Sequence, residues 1–467
     1  MNRFGFLKRS RKNRGALTVL LAMVAVFSLL ATSCGNDDDD APAAPEATAA
    51  PEATEEPAAP EPTEAPEPAP DPRGDALGDG SLGVVTVPEG EGIQIRSLNA
   101  ISGPVAFLGL PNQRGVELAI ADYGDIQGFS VDLGTPLDDL CSAEGGQAAA
   151  QTIVADEQVI GVVGTSCSGA AVAASPLVTQ AGMVMISPSN TSPALTSDFE
   201  GNAGESYNVG YYRTAHNDLV QGAAMANFVY SELGISAAAA MHDGDPYTQG
   251  LAQAFSNAYE EIGGTTTGIV GINKGDTDMV PALTELATGS PGALFFPIFP
   301  PEGDHVAAQA PTVSGLEGTQ LLAADGMLVD GFLELADSEG MYFSGPDLRF
   351  GTNVNQGTGR NADQILDAYQ AAYGELPSAA FWGHSYDATT LLLDAIAAAS
   401  WVEDGDLHID RAGVRQYLNA VSGYNGVTGS LSCDEFGDCA SQKITVIFHQ
   451  SAANIEASKN NVVYAYP

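Results

Sequence analysis

Hydroxyl-bearing residues follow two short apolar runs in the middle of the chain. The run at 159–164 leads into the sequence TSCSG, which carries Ser168, and the run at 183–186 leads into SPSNT, which ends at Thr191. A helix start offers unpaired N–H groups and the positive end of the helix dipole. If both turns open helices at one sheet edge, they can hold a small anion such as a carboxylate. Simple capping of those helices is the alternative.

Three further side chains are suited to complete a binding site. Tyr247 and Phe299 are predicted near strand ends, where aromatic rings can cover the apolar part of a ligand; rim or core positions are the alternative. Asp325 follows the apolar run at 320–323 and could hold an ammonium group, or cap the next helix. The loop at 101–109 is a Gly-Pro turn after the first strand.

Signatures of common catalytic sites are missing from the sequence. It contains no P-loop, no GxGxxG motif after a strand and no GxSxG elbow, and its six histidines show no metal-binding spacing. We therefore expect a small-molecule binder with no metal and no cofactor, and not an enzyme. A hydrolase whose catalytic residues are scattered along the chain is the alternative.

Apolar runs and helical patterns alternate from residue 93 to residue 448. This alternation predicts parallel sheets covered by helices on both faces. Close to ten strands are too many for one small sheet, so we expect an α/β fold with two doubly wound parallel-sheet lobes and a cleft between them.

The first 92 residues are predicted to lie outside the folded body. Six of the 17 basic residues precede an apolar run at 16–31 that ends in small residues before Cys34. This predicts an export signal at 1–33, similar to that of a bacterial lipoprotein, with Cys34 as the lipidated residue. Residues 34–92, rich in Ala, Pro and Glu, are expected to form a disordered acidic tether. A formal net charge of −42 argues against a nucleic-acid partner.

Four cysteines remain once Cys34 is assigned to lipid, an even number in an oxidising compartment. A disulfide between Cys141 and Cys167 would join two neighbouring loops at one end of the first sheet, with free thiols as the alternative. Cys433 and Cys439 are expected to close a turn with their own disulfide. Because that turn holds three acids, a Ca²⁺ loop is the alternative, although it lacks EF-hand spacing.

The order of these segments resembles the type I periplasmic binding proteins, and within them the branched-chain amino-acid receptors of ABC importers. The resemblance rests on SGPVAFLG at 102–109, DDLC at 138–141, CSG at 167–169, MISPSNTSPALT at 185–196, ADG at 324–326 and AFWGHSYDA at 380–388. It implies that Ser168 and Thr191 bind the ligand carboxylate, and that the Ser189 carbonyl and Asp325 hold its ammonium. The residues implied to line the side-chain pocket are Leu108, Tyr247, Phe299 and Phe381.

The same resemblance implies the organisation of the whole protein. Lobe one is expected to comprise 93–213 and 346–428, and lobe two 214–345 and 429–467, with crossings near 213–217, 341–347 and 429–433. A lipid-anchored monomer on the extracytoplasmic side would pass an amino acid to ABC permease subunits. The sequence departs from the family at two positions, with Asp325 where glutamate is usual and Phe299 where tyrosine is common. A receptor for an amide or urea-type solute is therefore one alternative. A sensory module with the same fold is another.

Overall fold

The computed structural model describes residues 73–466. The predicted export signal, Cys34 and the tether up to residue 72 lie outside the described residues. Within residues 73–466, no helix has the length and apolar character needed to cross a membrane.

Eighteen strands and twelve α-helices make up the described part of the chain. The strands are β1 (Val84–Val87), β2 (Ile93–Asn99), β3 (Val131–Asp132), β4 (Leu137–Asp138), β5 (Val159–Gly164), β6 (Val184–Ser187), β7 (Tyr211–Arg213), β8 (Ala237–His242), β9 (Thr265–Gly271), β10 (Ala293–Phe295), β11 (Gln320–Ala323), β12 (Tyr342–Pro346), β13 (Ser400–Glu403), β14 (Asp406–Asp410), β15 (Tyr424–Asn425), β16 (Ser430–Leu431), β17 (Ile444–Phe448) and β18 (Val462–Tyr466). The helices are α1 (Ala106–Tyr123), α2 (Ala143–Val154), α3 (Ser168–Gln180), α4 (Asp218–Asn227), α5 (Pro246–Glu261), α6 (Val280–Ala287), α7 (Glu302–Gln309), α8 (Asp330–Leu333), α9 (Ala362–Tyr373), α10 (Trp382–Ala398), α11 (Arg411–Asn419) and α12 (Ile455–Lys459).

The first lobe is built on a parallel sheet with the strand order β3-β2-β5-β6-β7. All six residues of β5, VIGVVG, are buried, as expected for a parallel strand covered on both faces. One face packs on α2 and α3, and the other packs on α10 and α11. The prediction of a strand at 159–164 followed directly by the TSCSG turn is confirmed.

The second lobe is built on a seven-stranded sheet with the order β18-β17-β12-β11-β10-β8-β9. The strands from β9 to β12 are parallel, whereas β17 and β18 pair antiparallel at one edge. Two apolar cores cover its two faces. The predicted fold class, two doubly wound α/β lobes, is therefore confirmed.

Three segments connect the lobes, and one of them, the third, differs from the prediction. The first follows β7 and leads into α4, as expected at 213–217. The second lies after Pro346, since residues 342–346 form β12, a full member of the second sheet. The third follows Cys439, because the β15–β16 hairpin and the Cys433–Cys439 loop pack against lobe one. Residues 429–439 therefore belong to lobe one and not to lobe two.

The predicted start of the folded body at residue 93 is also wrong. Strand β1 pairs antiparallel with β14, more than 300 residues later in the chain, and buries Val85 and Val87. Before it, Leu77 donates a backbone hydrogen bond to Ala398 at 2.9 Å. A local sequence pattern does not reveal this strand, because its partner is distant and the preceding residues are rich in glycine and charge.

A chain shortened to begin at Ile93 is expected to be less stable than one beginning at Arg73. The shorter chain loses the β1–β14 ladder and exposes the surface that Val85 and Val87 cover. Full burial of one valine contributes about 1.5–3 kcal/mol, so the free energy of unfolding should fall by roughly 3 kcal/mol or more. Urea denaturation of the two chains measures the difference; equal midpoints would contradict a structural role for β1.

Candidate functional site

A small cavity of about 20 Å³, with room for about one water molecule, lies between the two lobes. Seven of the eight ligand-binding residues that the sequence suggested line it, and Thr191 does not. The lining residues are Leu108, Ser166, Cys167, Ser168, Ser189, Tyr247, Phe299, Asp325, Gly326 and Phe381.

The lobe-one wall contains the N-terminus of α3. Ser168 is the first residue of this helix, and its side chain is buried. Its Oγ accepts a hydrogen bond from the backbone N–H of Ser192 at 3.3 Å, which links the first hydroxyl turn to the second. The N–H groups of the first helical turn have no acceptor within the helix. This wall therefore presents hydrogen-bond donors and a positive dipole end to the cavity.

A buried carboxylate supports the first hydroxyl turn from behind. Asp139 Oδ2 accepts from the backbone N–H of Ser166 at 2.8 Å, and Oδ1 accepts from that of Cys141 at 2.7 Å. Burial raises the pKa of Asp139 to about 7, although both hydrogen bonds lower it. The Cys141–Cys167 disulfide joins the same two loops and confirms the predicted pairing.

The second hydroxyl turn differs from the prediction in two respects. It does not open an α-helix, because Pro193 begins only a single 3₁₀ turn, Pro193–Leu195. Ser189 reaches the cavity, with its Oγ donating to the Ser166 carbonyl at 3.0 Å. Thr191 is fully buried behind the turn. The cavity therefore faces one helix N-terminus, that of α3, instead of the two that the sequence predicted.

The hydroxyl of Thr191 faces an acidic residue that the sequence analysis did not select. Thr191 Oγ1 and both carboxylate oxygens of Asp218 lack a hydrogen-bond partner of good geometry. The hydroxyl nevertheless lies close enough to the carboxylate to lower its pKa. Asp218 begins α4, directly after the first crossing. Because acids are common in the first turn of any helix, its sequence carried no distinguishing signal.

The lobe-two wall contains Tyr247, Phe299 and Asp325. Tyr247 Oη donates to Asp325 Oδ1 at 3.3 Å and accepts from the Gly326 N–H at 3.2 Å. Its ring packs on that of Phe299, with 5.2 Å between centroids. Gln221 Nε2 donates to the same Asp325 oxygen at 2.6 Å. These contacts hold the Asp325 carboxylate in one orientation at the cavity wall.

A buried histidine orients the glutamine that contacts Asp325. His216 Nε2 and Gln221 Oε1 lie 2.5 Å apart, so a neutral imidazole with Nε2 protonated donates to the amide oxygen. Burial lowers the pKa of His216 to about 4, so the ring carries no charge at neutral pH. The amide nitrogen of Gln221 then points toward Asp325. His216 lies in the first crossing and Gln221 lies just after it in α4; both were missed, since only the packing of α4 on lobe two brings them to the site.

Two acidic side chains, Asp325 and Asp218, are buried on the lobe-two side of the cavity. Burial raises the pKa of Asp325 to about 6, while its bonds to Gln221 and Tyr247 lower it. The pKa of Asp218 is raised well above its usual value by burial and by the nearby Asp325. The residues that line the cavity include no basic side chain. A positively charged group of a ligand would therefore offset the unfavourable burial of these carboxylates.

The remaining wall is apolar. Leu108 lies in α1, and Phe381 immediately precedes α10, stacked near His216 with 6.1 Å between ring centroids. With Phe299 and the Cys141–Cys167 disulfide, these side chains can cover a hydrocarbon group. Lys274, which does not line the cavity, bridges the two lobes: its Nζ lies 3.0 Å from Asp245 Oδ2 and 3.4 Å from the Cys141 carbonyl of the other lobe.

The second disulfide, Cys433–Cys439, is also confirmed. Its acidic residues make protein contacts: Asp434 Oδ1 accepts from the backbone N–H groups of Phe436 and Asp438, both at 2.9 Å, and Asp438 pairs with Arg213. These contacts argue against the alternative of a Ca²⁺ loop. In residues 73–466 no cluster of three His, Cys, Asp or Glu side chains is placed to hold a metal.

Comparison with known proteins agrees with this architecture. The family described as periplasmic binding protein matches residues 92–445. The Leu/Ile/Val-binding protein of Escherichia coli K12 is 28% identical over 359 residues, covering 74% of this chain and 88% of that protein. The leucine-, isoleucine-, valine-, threonine- and alanine-binding protein of Pseudomonas aeruginosa is 27% identical, with coverage of 78% and 92%.

A solved structure gives the same result. The leucine-binding protein of Thermotoga maritima superposes with a TM-score of 0.67 at 26% identity, covering 77% of this chain and 96% of that one. The chain therefore belongs to the periplasmic binding protein family, and its fold is that of the type I members. Proteins of this family bind substrates for transporters and are not enzymes.

Proposed function

We propose that this protein is the extracytoplasmic receptor of an ABC importer for a small α-amino acid with an apolar side chain. One observation carries the proposal: the two ends of the cavity have opposite electrical character. The α3 N-terminus with Ser168 lines one side, and Asp325 with Asp218 behind it makes the other side acidic. A zwitterion loses its hydration on entering such a cavity, and the two sides compensate both of its charges.

The apolar wall determines which side chain fits. Leu108, Phe299 and Phe381 surround the rest of the cavity, and none of them carries a hydrogen-bonding group. An aliphatic side chain therefore gains burial there, whereas a charged one would lose its hydration without compensation. The amino-acid ligands in the names of the relatives are consistent with this preference.

Binding is proposed to proceed by lobe closure. Lobe one would take the carboxylate first, and rotation about the three crossings would then bring Tyr247, Phe299 and Asp325 against the ligand. The closed form would present a joint surface to the permease subunits. Lipid on Cys34 would anchor the protein, as a monomer, to the extracytoplasmic face of the membrane.

A thermal-shift screen of the full chain tests the proposed function. Leucine, isoleucine, valine, alanine, glutamate, acetamide and urea are added in turn at 1 mM. A ligand that binds only the folded state raises Tm by mass action, and at a concentration 100 times its Kd it adds about 2.7 kcal/mol. We expect the aliphatic amino acids to raise Tm and glutamate to have no effect. A response to acetamide or urea alone would assign the protein to the amide receptors.

A further inference from the structure

A buried ion pair joins the two segments of lobe one that lead into the first and third crossings. Arg213, the last residue of β7, pairs through Nε with Asp438 in the Cys433–Cys439 loop, and both side chains are almost fully buried. The two segments also exchange backbone hydrogen bonds, Arg213 N–H to Gly437 O at 2.9 Å and Cys439 N–H to Arg213 O at 3.0 Å. The ion pair is thus part of a short parallel ribbon at the hinge.

The other end of the same guanidinium contacts the second hydroxyl turn. Arg213 Nη1 donates to the carbonyl of Asn190 at 3.2 Å and to that of Ser192 at 2.8 Å. These carbonyls flank Thr191, the residue whose hydroxyl faces Asp218. Nη2 donates to Thr196 Oγ1 at 2.6 Å, just after the 3₁₀ turn Pro193–Leu195. The Arg213 side chain therefore holds the second hydroxyl turn on both sides of Thr191 and the segment that follows it.

Further donors from the first crossing complete this support. The Asp218 N–H donates to the Thr191 carbonyl at 2.9 Å, and the Thr214 N–H donates to the Ser187 carbonyl at 2.9 Å. The carbonyls of residues 190, 191 and 192 are thus all hydrogen-bonded by the crossing segment. The conformation of this turn depends on the hinge as much as on lobe one.

The Cys433–Cys439 loop and Asn217 keep Asp438 in place. Asp438 lies inside the disulfide loop, where its backbone N–H donates to Asp434 Oδ1 at 2.9 Å. Asn217, at the end of the first crossing, donates through Nδ2 to Asp438 Oδ2 at 3.4 Å and through its N–H to Gln442 Oε1 at 2.8 Å. Both ends of the first crossing are therefore tied to the third crossing or to the loop that leads into it.

We propose that Arg213, held by Asp438, is a positioning residue that sets the second hydroxyl turn for the ligand and couples this turn to the hinge. Arginine suits the task because its planar fork donates in several fixed directions at once, whereas lysine offers a single flexible ammonium. The inference rests on the proposed function for its effect on affinity. Its effect on the turn is independent of any ligand.

The test compares three variants of the full chain. Arg213→Lys keeps the charge beside Asp438 but loses the fork. Thr196→Val removes only the acceptor of Nη2. Asp156→Asn is the matched control, since it breaks a different ion pair of lobe one, Arg96–Asp156 at 2.7 Å. Leucine affinity is measured by calorimetry at 20 °C, and hydrogen exchange of the amides at 189–192 is followed without ligand.

We expect Arg213→Lys to raise the Kd for leucine at least tenfold and Thr196→Val to raise it about threefold, with the control within twofold of wild type. Exchange at 189–192 should accelerate in the first two variants only. If Arg213→Lys does not fold, the Kd and the exchange rates of Thr196→Val test the proposal. Folded variants with wild-type exchange at 189–192 would overturn the proposal, as would faster exchange with an unchanged Kd. Failure of the wild type to bind any amino acid would overturn the proposed function, and the exchange data would still test the positioning role.

Discussion

Replacing Asp325 by asparagine will weaken binding of an aliphatic amino acid at least about 30-fold and will raise the stability of the unliganded protein. The loss follows because truncating one partner of a buried, hydrogen-bonded charge pair costs about 2–5 kcal/mol. An amide keeps an oxygen that can accept from Gln221 and Tyr247, but it carries no charge for the ammonium. Calorimetric titration with leucine measures the change in Kd.

Asp325→Asn is expected to stabilise the unliganded protein although it weakens binding, because a buried carboxylate without a positively charged partner is destabilising. The pKa of Asp325 rises from 3.8 to about 6 on folding, which corresponds to about 3 kcal/mol of destabilisation when the group is ionised. This cost is fully present above pH 6 and disappears as the pH falls toward 3.8, where the group is protonated in both states. Asp325→Asn should therefore raise Tm at pH 7.5 and change it little at pH 4.

The same carboxyl group makes wild-type binding depend on pH. As the pH falls below about 6, Asp325 takes up a proton and no longer attracts the ammonium, so the Kd should rise. In Asp325→Asn this part of the pH dependence should be absent. Asp304→Asn is the matched control, since burial also raises the pKa of Asp304, which does not line the cavity. Unchanged affinity in Asp325→Asn would exclude Asp325 as the ammonium partner.

Removing the hydroxyl of Ser168 will weaken binding of an aliphatic amino acid by about 10- to 100-fold. A hydrogen bond to a charged group contributes about 1.5–3 kcal/mol, and the ligand carboxylate is such a group. Thr191→Val should change the affinity little, because Thr191 does not line the cavity and its hydroxyl lies beside Asp218. Ser168→Ala should lower the unfolding midpoint slightly, since it leaves the Ser192 N–H unpaired.

A second serine of α3 provides the control for this prediction. Ser175 is buried in the same helix and accepts from Asn208 Nδ2 at 3.2 Å, but it does not line the cavity. Ser175→Ala should keep wild-type affinity in the same titrations. If Ser168→Ala binds leucine as tightly as the Ser175→Ala control does, the anion must dock elsewhere.

Local sequence patterns determined the elements of this protein. The apolar run of β5 and the small hydroxyl-rich turn after it are short-range features, and the structure has both. The aromatic and acidic residues chosen at strand ends in lobe two also meet in one cavity, because the carboxyl ends of parallel strands share a sheet edge. Resemblance to a family supplied Leu108 and Phe381, for which periodicity offered no signal.

Tertiary structure alone decided how the site is supported. Gln221 and Asp325 lie 104 residues apart in the chain, and Arg213 and Asp438 lie 225 apart, so no local pattern links them. The sequence marks which face of a strand or helix is apolar, since burial requires it. Which polar side chains meet depends on how distant segments pack within each complete lobe, and that packing exists only in the folded chain.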